Sequence, residues 1–428
     1  MSKKALSLLI SGIASNQGKT TITACLAYKL RKMGFKVQVF KIGPDFLDPQ
    51  ILEFASGNPV KQLDLWMVGH NNCVRLLYEA YISMDYILIE GVMGLYDGIP
   101  STADLAIAFN IPVIAIIDAS SMAQSFAALA YGLVNYNNKI NLCGVLANRI
   151  ASDHHLNLIH NSDFKGVKFL GGIEENSKIA INSRHLGLCQ AKEIPDLISK
   201  LESGIELIDK CKLINCFEPI EFAKVKPIKS FSRSLKNKKI GIAKDLAFSF
   251  LYSQNINVLE KLGAKIVFFS VLNDKKIPDI DSLYLPGGYP ELHLKALEEN
   301  ISMQASIIMH YQSNKKIYAE CGGMLYLMES LTDTKGNSAK LTSIIPGQAV
   351  MQSKISSLGY QELATSFGNI RGHTFHYSNS KINLYPLAVA KYPNKNIDGE
   401  AIYKINSLTA TYCHFYFDSN IDFVASLF

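Results

Sequence analysis

Residues 12–21, with the sequence GIASNQGKTT, decide the fold of the first half of the chain. This stretch follows an apolar run at residues 6–10 and precedes an amphipathic segment at residues 20–33. A glycine-rich turn between a strand and a helix points backbone N–H groups and the helix dipole at one place, where they hold phosphate groups. Lys19 would reach the β- and γ-phosphates of a nucleotide, and Thr20 would offer its hydroxyl to Mg²⁺.

The loop differs from the usual phosphate-loop spacing in one respect. Five residues rather than four separate Gly12 from Gly18. The alternative interpretation is a glycine-rich turn that contains Gly-Lys-Thr by coincidence. The strand and the helix predicted on either side favour a phosphate-binding loop.

Alternating strands and helices are predicted along the rest of the first half. Short runs rich in Val, Ile and Leu lie at residues 36–40, 86–90, 113–117 and 142–147, with helix-like segments between them. Such runs are typical of strands buried on both faces, and the helices between them imply crossover connections. The first half is therefore predicted to be an α/β domain with a parallel sheet.

A second α/β series follows an irregular segment. In residues 217–238, two prolines and a basic cluster interrupt the hydrophobic periodicity. Strand-like runs resume at residues 240–243, 266–270, 282–285 and 316–319, and turn-separated strand-like segments follow Ser330. Because 428 residues exceed what one hydrophobic core usually supports, we predict domains at 1–216 and 239–428, joined by a linker at 217–238.

The composition excludes several classes of protein. Hydrophobic residues make up 48% of the chain and charged residues 19%, which is typical of a globular protein. Segment 225–239 holds six basic residues and no acidic one, which accounts for the whole net charge of +6, so no nucleic-acid partner is predicted. The eight cysteines include no Cys-x-x-Cys pair, and no uninterrupted apolar run has membrane-spanning length. We therefore expect a cytoplasmic protein without a membrane partner.

Charged residues follow two of the predicted strands. They are Lys41, Asp45, Asp48, Glu90 and Asp97. Because ligands bind beyond the carboxyl ends of the strands in an open α/β sheet, these side chains can share one site with the phosphate loop. Carboxylate oxygens there suit Mg²⁺. The alternative is that each acid forms a turn or caps a helix, as most Asp residues beside Gly or Pro do.

Taken together, the motifs resemble a known family, the cobyrinate a,c-diamide synthases. The amino-terminal half of that family is similar at residues 12–21, 41–49 (KIGPDFLDP), 63–67 (LDLWM) and 90–98 (EGVMGLYDG). Its glutamine amidotransferase domain is similar at residues 244–250 (KDLAFSF), 285–291 (LPGGYPE), 319–324 (AECGGM), 371–378 (RGHTFHYS) and 411–414 (TYCH). The motifs occur in the family's order and span nearly the whole chain.

The resemblance implies a dethiobiotin-synthetase-like ATP domain followed by a class I glutamine amidotransferase domain. It also implies amidation of the a and c acetate groups of cobyrinate, in which ATP phosphorylates each carboxylate and ammonia from glutamine displaces the phosphate. Hydrogenobyrinate and nickel-sirohydrochlorin remain alternative macrocycles. A less favoured alternative is a P-loop ATPase that carries a non-catalytic amidotransferase-like binding domain. A homodimer is a candidate assembly, although the sequence is silent on oligomeric state.

The resemblance assigns residues of the first domain to three groups. The expected ATP-binding residues are Asn16, Gln17, Gly18, Lys19, Thr20, Thr21, Lys41 and Asn148. The expected residues of the amidation site are Asp45, Phe46, Leu47, Asp48 and Asp97. The expected Mg²⁺ ligands are Thr20, Asp48 and Glu90. Phe46 departs from the family, in which Tyr is common at this position.

In the second domain, Cys321 is the expected nucleophile. It lies between a predicted strand and a helix-like segment at residues 324–330, on a turn that resembles a nucleophile elbow. A helix N-terminus and a nearby histidine would lower the pKa of its thiol. Gly287, Gly288 and Gly322 are the expected oxyanion-hole residues.

His414 is the expected base, because the family's base lies in this motif, within a strand-like segment at residues 410–417. Tyr416 stands where many class I amidotransferases have an orienting Glu, so we expect a Cys/His dyad or an orienting group from elsewhere in the chain. His373 and His376 are the rival candidates to His414, and contact with the corrinoid or the domain interface is a further role considered for them; most isolated histidines in a strand are structural. Thr374 stands where the family usually has Glu.

Overall fold

The computed structural model describes residues 4–180, 190–222, 233–393 and 397–428. The chain divides into two compact units, Met1–Pro227 and Ile228–Phe428, and each contains its own clusters of buried hydrophobic residues. Among the residues described, no helix is both long enough and apolar enough to cross a membrane.

The first unit contains eight strands and seven α-helices within its described residues. The strands are β1 (Leu6–Gly12), β2 (Val37–Ile42), β3 (Lys61–Leu63), β4 (Tyr86–Glu90), β5 (Val113–Asp118), β6 (Leu142–Ile150), β7 (Phe169–Glu174) and β8 (Glu218–Pro219). The helices are α1 (Lys19–Lys32), α2 (Asp48–Ser56), α3 (His70–Ser83), α4 (Thr102–Ala108), α5 (Ser125–Tyr136), α6 (Asp153–His160) and α7 (Leu197–Ile208). Single turns of other helix types lie at Leu65–Gly69, Ala191–Glu193 and Leu213–Cys216.

A parallel sheet organises the first unit, as predicted. Its strand order is β3-β2-β4-β1-β5-β6-β7, and β8 pairs antiparallel with the start of β1. After β1 the chain builds β2, β3 and β4 on one side and then β5, β6 and β7 on the other. The carboxyl end of β1 therefore lies at the point where the order reverses, which is where open α/β sheets bind ligands.

Part of the predicted linker, residues 217–238, packs against the first unit. β8 lies within it, and Phe217, Ile220 and Phe222 are buried. Residues 223–232 of this segment lie outside the described residues.

The second unit contains fourteen strands and five α-helices within its described residues. The strands are β9 (Lys239–Ala243), β10 (Lys265–Phe269), β11 (Ser282–Leu285), β12 (Lys316–Glu320), β13 (Met328–Thr332), β14 (Ser338–Lys340), β15 (Ile345–Met351), β16 (Ser357–Thr365), β17 (Gly368–His376), β18 (Ser378–Ile382), β19 (Ala388–Lys391), β20 (Asp398–Ile405), β21 (Leu408–Thr411) and β22 (His414–Phe415). The helices are α8 (Ser253–Lys261), α9 (Leu294–Glu299), α10 (Ile301–Gln312), α11 (Gly322–Tyr326) and α12 (Ile421–Leu427). Short 3₁₀ turns lie at Pro290–Leu292 and Phe417–Ser419.

A mixed sheet of ten strands runs through the second unit in the order β10-β9-β11-β12-β21-β20-β19-β16-β17-β22. The strands from β10 to β21 are parallel, and the remaining pairs are antiparallel. Side chains on β12 alternate between two hydrophobic cores: Ile317 and Ala319 belong to one, and Tyr318 belongs to the other. A separate four-stranded sheet has the order β14-β13-β15-β18.

Two local predictions in this unit are wrong. The helix-like segment at residues 324–330 is helical only to Tyr326, because β13 begins at Met328 and pairs with β15 and β14. The strand-like segment at residues 410–417 is split between β21, which pairs with β12 and β20, and β22, which pairs with β17. Both differences come from strand pairing with distant segments, which local sequence does not encode.

Candidate active sites

The phosphate loop connects β1 to α1. Gly18 has a φ of 92°, and a Cβ at this position would lie 2.3 Å from Asn148 Nδ2, so only glycine fits. Lys19 Nζ donates hydrogen bonds to the carbonyl oxygens of Ala14 at 2.7 Å and Met93 at 2.6 Å. Burial and the nearby Lys41 lower the pKa of Lys19 to about 8. The Lys19 ammonium group is thus held against the loop by two backbone carbonyls.

A buried cluster of charges lies at the carboxyl ends of β2 and β4. Lys41 Nζ lies 2.5 Å from Glu90 Oε1, 2.9 Å from Asp48 Oδ2 and 3.5 Å from Asp45 Oδ2. Thr20, on the first turn of α1, donates its hydroxyl to Glu90 Oε1 at 2.9 Å. The structure therefore brings together five of the residues that the sequence predicts for nucleotide, metal and substrate binding.

The charged groups of this cluster shift one another's pKa values. Burial disfavours the charge of Lys41, but Asp48, Glu90 and Asp45 together hold its pKa well above the ordinary value. Although burial acts against it, the carboxylate of Asp48 has its pKa lowered to about 2 by Lys41. Burial raises the pKa of Asp45, as does the neighbouring Asp48. Burial also raises the pKa of Glu90, against the opposing effect of Lys41.

Glu90 provides a test of whether the cluster fits a metal ion. Its side chain is fully buried, and its Oε2 atom has no hydrogen-bond partner among the residues that the structure describes. A buried oxygen without a partner is costly, and a cation beside the Thr20 hydroxyl would satisfy it. No group of three or more His, Cys, Asp and Glu side chains suited to a metal occurs among the described residues. The donors therefore fit a metal that takes its remaining ligands from phosphate and water, as Mg²⁺ does.

The other side of the loop contacts the ends of β5 and β6. Asn148 Nδ2 donates to the carbonyl oxygen of Gln17 at 2.9 Å, and Gln17 Oε1 accepts from the N–H of Asp118 at 2.7 Å. Arg149 pairs with Asp118 and donates to Asn16 Oδ1 at 3.2 Å. Asn16, Gln17 and Asn148 are thus brought together as predicted. Sequence reasoning missed Asp118, the last residue of β5, and Arg149, which lies near the end of β6.

The remaining predicted residues of this unit lie around the cluster. Asp45 Oδ1 accepts the N–H groups of Leu47 at 2.9 Å and Asp48 at 3.2 Å, which fixes the start of α2. Phe46 is half-buried and Leu47 is buried. Asp97 is exposed and accepts the N–H of Gly94 at 3.0 Å, so in this structure it closes its own turn. Thr21 is half-buried on α1.

In the second unit, Cys321 lies on the turn between β12 and α11. Its φ of 44° and ψ of −112° are unfavourable for a residue with a side chain. Its N–H donates to the carbonyl oxygen of Thr411 at 2.8 Å, which ties the turn to the end of β21. This strained strand-to-helix turn has the geometry of a nucleophile elbow, as the sequence predicts.

The pKa of the Cys321 thiol differs from the expectation. Burial, with a smaller contribution from Glu291, raises this pKa well above the ordinary value, although the N–H of Gly322 acts in the opposite direction. The predicted lowering is therefore wrong for this structure, because loss of hydration outweighs the local donor. Burial lowers the pKa of His414 well below its ordinary value, and His373 and His376 lower it further. Both shifts favour the uncharged forms, the neutral thiol and the neutral imidazole.

Two of the three predicted oxyanion-hole glycines, Gly287 and Gly322, lie next to the candidate catalytic residues, and Gly288 packs against Ala247. A Cβ on Gly287 would lie 2.3 Å from His414 Cε1, and a Cβ on Gly288 would lie 2.0 Å from the carbonyl oxygen of Ala247. Gly322 follows Cys321, and a Cβ there would lie 3.0 Å from the nitrogen of Gly288. Only glycine allows these backbone segments to approach so closely.

Glu320 is a buried acid beside this pair that sequence reasoning missed. Its Oε2 atom lies 3.8 Å from His414 Nδ1 and accepts the hydroxyl of Tyr284 at 2.7 Å. Its Oε1 atom accepts the hydroxyl of Tyr318 at 2.6 Å and the N–H of Phe415 at 3.1 Å. The available signal was its position, as an acid at the end of an apolar strand and directly before the nucleophile.

The two rival histidines occupy different environments on β17. The His373 ring stacks on the His414 ring with centroids 5.0 Å apart. His376 Nε2 lies 3.1 Å from Glu400 Oε1, the same oxygen that accepts the Thr374 hydroxyl at 3.0 Å. Glu400, on β20, is a second acid that sequence reasoning missed.

Both parts of the chain match models of known domain families. Residues 8–188 match the model for the CobQ/CobB/MinD/ParA nucleotide binding domain, and residues 239–421 match the model for the CobB/CobQ-like glutamine amidotransferase domain. The first of these families uses ATP, generally with a divalent metal. A solved glutamine amidotransferase covers 41% of this chain and 89% of its own, with a TM-score of 0.30 and 14% identity, too low to bear on the fold.

Three curated relatives align along almost the whole chain. A hydrogenobyrinate a,c-diamide synthase from Stutzerimonas stutzeri is 46% identical over 98% of this chain and 97% of its own. One from Pseudomonas aeruginosa is 46% identical over 98% of this chain and 96% of its own. A cobyrinate a,c-diamide synthase from Herminiimonas arsenicoxydans is 45% identical over 96% of this chain and 94% of its own. The chain therefore belongs to the family of cobyrinate and hydrogenobyrinate a,c-diamide synthases, which are glutamine-dependent amidating enzymes.

Proposed function

We propose that this enzyme amidates the a and c acetate groups of a cobyrinate-type tetrapyrrole, with ATP and glutamine as co-substrates. The observation that carries the proposal is that one chain holds both a phosphate loop with a buried acidic cluster and a cysteine on a strained strand-to-helix turn. The first arrangement suits activation of a carboxylate by ATP. The second suits release of ammonia from glutamine.

The first unit supplies the activated carboxylate. An acetate oxygen attacks the γ-phosphorus of ATP, the bond to the β,γ-bridging oxygen breaks, and an acyl phosphate and ADP form. This step is needed because the oxygen of a free carboxylate is a poor leaving group. Lys19 neutralises charge that develops on the phosphates. When bound, Mg²⁺ would neutralise further phosphate charge, and Thr20, Asp48 and Glu90 would hold it.

The second unit supplies ammonia. His414 takes the proton of the Cys321 thiol, and the thiolate attacks the side-chain amide carbon of glutamine. Backbone N–H groups at Gly287, Gly288 and Gly322 stabilise the oxyanion, and the proton leaves with ammonia. Water then hydrolyses the thioester to glutamate. Ammonia attacks the acyl phosphate carbon, and phosphate leaves as the amide forms.

Two macrocycles are supported by the relatives. Relatives at 46% identity are named for hydrogenobyrinate, and one at 45% identity is named for cobyrinate. We take both as candidate substrates, with nickel-sirohydrochlorin as a third to be tested. The oligomeric state enters as a further proposal, a homodimer, which size-exclusion chromatography with light scattering tests directly.

The test is mass spectrometry of the products formed with ATP, Mg²⁺, glutamine and each macrocycle in turn. We expect one macrocycle to gain two amides. In the Cys321→Ala variant, glutamine should no longer support the reaction and ammonium chloride at alkaline pH should restore it. The Glu90→Gln variant should fail with either nitrogen source, because it alters the ATP site.

Two outcomes would contradict the proposal. Undiminished amidation by Cys321→Ala with glutamine would exclude the thiol step. ATP hydrolysis without amidation of any macrocycle would instead favour the ATPase with a non-catalytic binding domain.

A further inference from the structure

In the second site, the family resemblance supplies no acid that would orient His414. Tyr416, at the position where many class I amidotransferases have Glu, offers a hydroxyl and no carboxylate. We propose that Glu320, the residue directly before the nucleophile, orients His414 and stabilises the imidazolium that forms when His414 takes the thiol proton. The inference rests on the proposed glutaminase step.

The distance and burial of the two groups carry this inference. Glu320 Oε2 lies 3.8 Å from His414 Nδ1, and both side chains are 2% exposed. A hydrogen bond between these atoms requires an approach of about 1 Å. Catalytic hydrogen bonds are often long before substrate binds and shorten in the reactive complex. Once His414 takes the thiol proton, Coulomb attraction between the Glu320 carboxylate and the imidazolium is strong at this distance, because little water screens it.

The carboxylate is also held in a fixed position. Oε1 accepts two hydrogen bonds, from the hydroxyl of Tyr318 and from the N–H of Phe415. Oε2 accepts one, from the hydroxyl of Tyr284, which leaves it a second lone pair on the oxygen nearest His414. The Phe415 bond ties Glu320 to the strand that carries His414. An orienting group needs such support, because it can position the base only if it does not move itself.

The strand geometry explains why an acid beside the nucleophile can act on the base. Residues two apart on a strand share a face, so Glu320 lies on the same face of β12 as Tyr318. The backbone then turns sharply at Cys321, with a φ of 44°. The acid and the thiol are therefore neighbours in sequence but leave the strand in different directions.

Among the described residues around this pair, His373, Glu400 and the two tyrosines that contact Glu320 do not supply the missing anion. His373 stacks on His414, and burial lowers its pKa to about 3, so it stays neutral. The carboxylate of Glu400 pairs with His376 and accepts the Thr374 hydroxyl. Tyr284 and Tyr318 are hydrogen-bond donors to Glu320, and burial raises the pKa of both, so they carry no charge.

The experiment measures glutaminase kinetics of the full-length enzyme with two substitutions. For Glu320→Gln, we expect kcat to fall about 10- to 100-fold, with KM for glutamine changed by less than about 3-fold. Glu320→Asp keeps the charge and should recover part of the loss. Ammonia-dependent amidation should stay at the wild-type rate in both variants. The matched control is Glu329→Gln, which neutralises an exposed acid of the same unit and should leave glutaminase kinetics unchanged.

The pH profile separates orientation of the base from a structural role. Burial raises the pKa of Glu320 to about 7. Wild-type kcat/KM for glutamine should therefore fall as the pH drops through about 7, because protonated Glu320 cannot stabilise an imidazolium. This decrease in kcat/KM at acidic pH should be absent in Glu320→Gln, because the glutamine side chain carries no charge at any pH.

The outcomes decide the role of Glu320. The proposal is wrong if Glu320→Gln keeps the wild-type kcat and shows the same decrease in kcat/KM at acidic pH. It is also wrong if glutamine- and ammonia-dependent rates fall together with the melting temperature, since Glu320 would then be a structural residue. Wild-type glutaminase activity without any amidated macrocycle would refute the proposed function and leave this test intact.

Discussion

The hydroxyl of Thr374 on β17 donates a hydrogen bond to Oε1 of Glu400 on β20, at 3.0 Å. The family usually has Glu where this chain has Thr374. Glu400 places a carboxylate beside that position from another strand, and the same oxygen lies 3.1 Å from His376 Nε2. The carboxylate that the sequence lacks at position 374 is thus present in the structure, supplied by a different residue.

Thr374→Glu should therefore destabilise the second unit, because two carboxylates would share one buried site. Thr374 is fully buried, so the new side chain cannot turn to solvent. The double variant Thr374→Glu/Glu400→Thr moves the carboxylate to the family's position and should recover stability. Calorimetry of the single and double variants should give a coupling energy of about 0.5–3 kcal/mol. Additive effects of the two substitutions would contradict this explanation.

Lys41→Met should destabilise the first unit. The substitution leaves the fully buried Glu90 without the cation that lies 2.5 Å away, which typically costs about 3–5 kcal/mol. Trp66 is the one tryptophan of the chain and lies in the first unit, so its fluorescence in urea reports this unit alone. Lys32→Ala, which removes an exposed pair with Glu202, is the control and should leave the midpoint unchanged. Equal midpoints for wild type and Lys41→Met would show that the cluster contributes nothing to stability.

ATP use should depend on pH through Lys19. Its pKa is lowered to about 8, so the free enzyme keeps this charge below that pH and loses it as the pH rises above. An ordinary lysine, with a pKa of about 10.4, would stay charged over this range. We expect kcat/KM for ATP to fall above about pH 8, since this ratio reports the free enzyme. In Lys19→Arg the decline should disappear, because arginine does not deprotonate, whereas a wild-type profile that stays flat to pH 10 would refute the prediction.

Gly287→Ala should impair the glutaminase step selectively. The added Cβ would lie 2.3 Å from His414 Cε1, so the imidazole must move. A displacement of about 1 Å at a catalytic group can cost about 100-fold in rate. Glutamine-dependent activity should fall by this order while ammonia-dependent amidation persists. Gly132→Ala, a helical glycine with open space around it, should match wild type in both assays; equal activity of the Gly287 variant would contradict the predicted clash.

Much of the fold could be predicted from local sequence. Tyr86–Glu90 and Ser282–Leu285 form strands with the predicted boundaries, because buried parallel strands are continuous apolar runs. The three-residue strand β3 escaped prediction, since it is too short to show periodicity and is stabilised by pairing with β2. The helix predicted at residues 324–330 failed for a similar reason, as β15 recruits Met328 and its neighbours into a strand.

The candidate site residues also fall into those that the sequence predicts and those that it does not. Lys19, Thr20 and Cys321 could be predicted as candidate site residues from sequence, because a phosphate loop and a nucleophile elbow each need particular residues at consecutive positions. The sequence does not predict Glu320 or Glu400 as site residues, because neither belongs to a local motif that requires an acid, and the position of Glu320 before Cys321 does not identify its partner. Folding brings each acid close to a histidine that is remote in sequence: Glu320 lies near His414, and Glu400 lies near His376.

The amino-acid sequence by itself determined the two-part α/β character of this protein, its phosphate loop and its candidate nucleophile, because these depend on contiguous residues and their periodicity. The tertiary structure alone decided which buried acids pair with which bases and how burial shifts their pKa values. It places Lys41 between Glu90 and Asp48, and it raises the pKa of Cys321 where the sequence predicts a lowered one. The physical reason is that desolvation and Coulomb interactions depend on distance in space, and strands far apart in the chain set those distances.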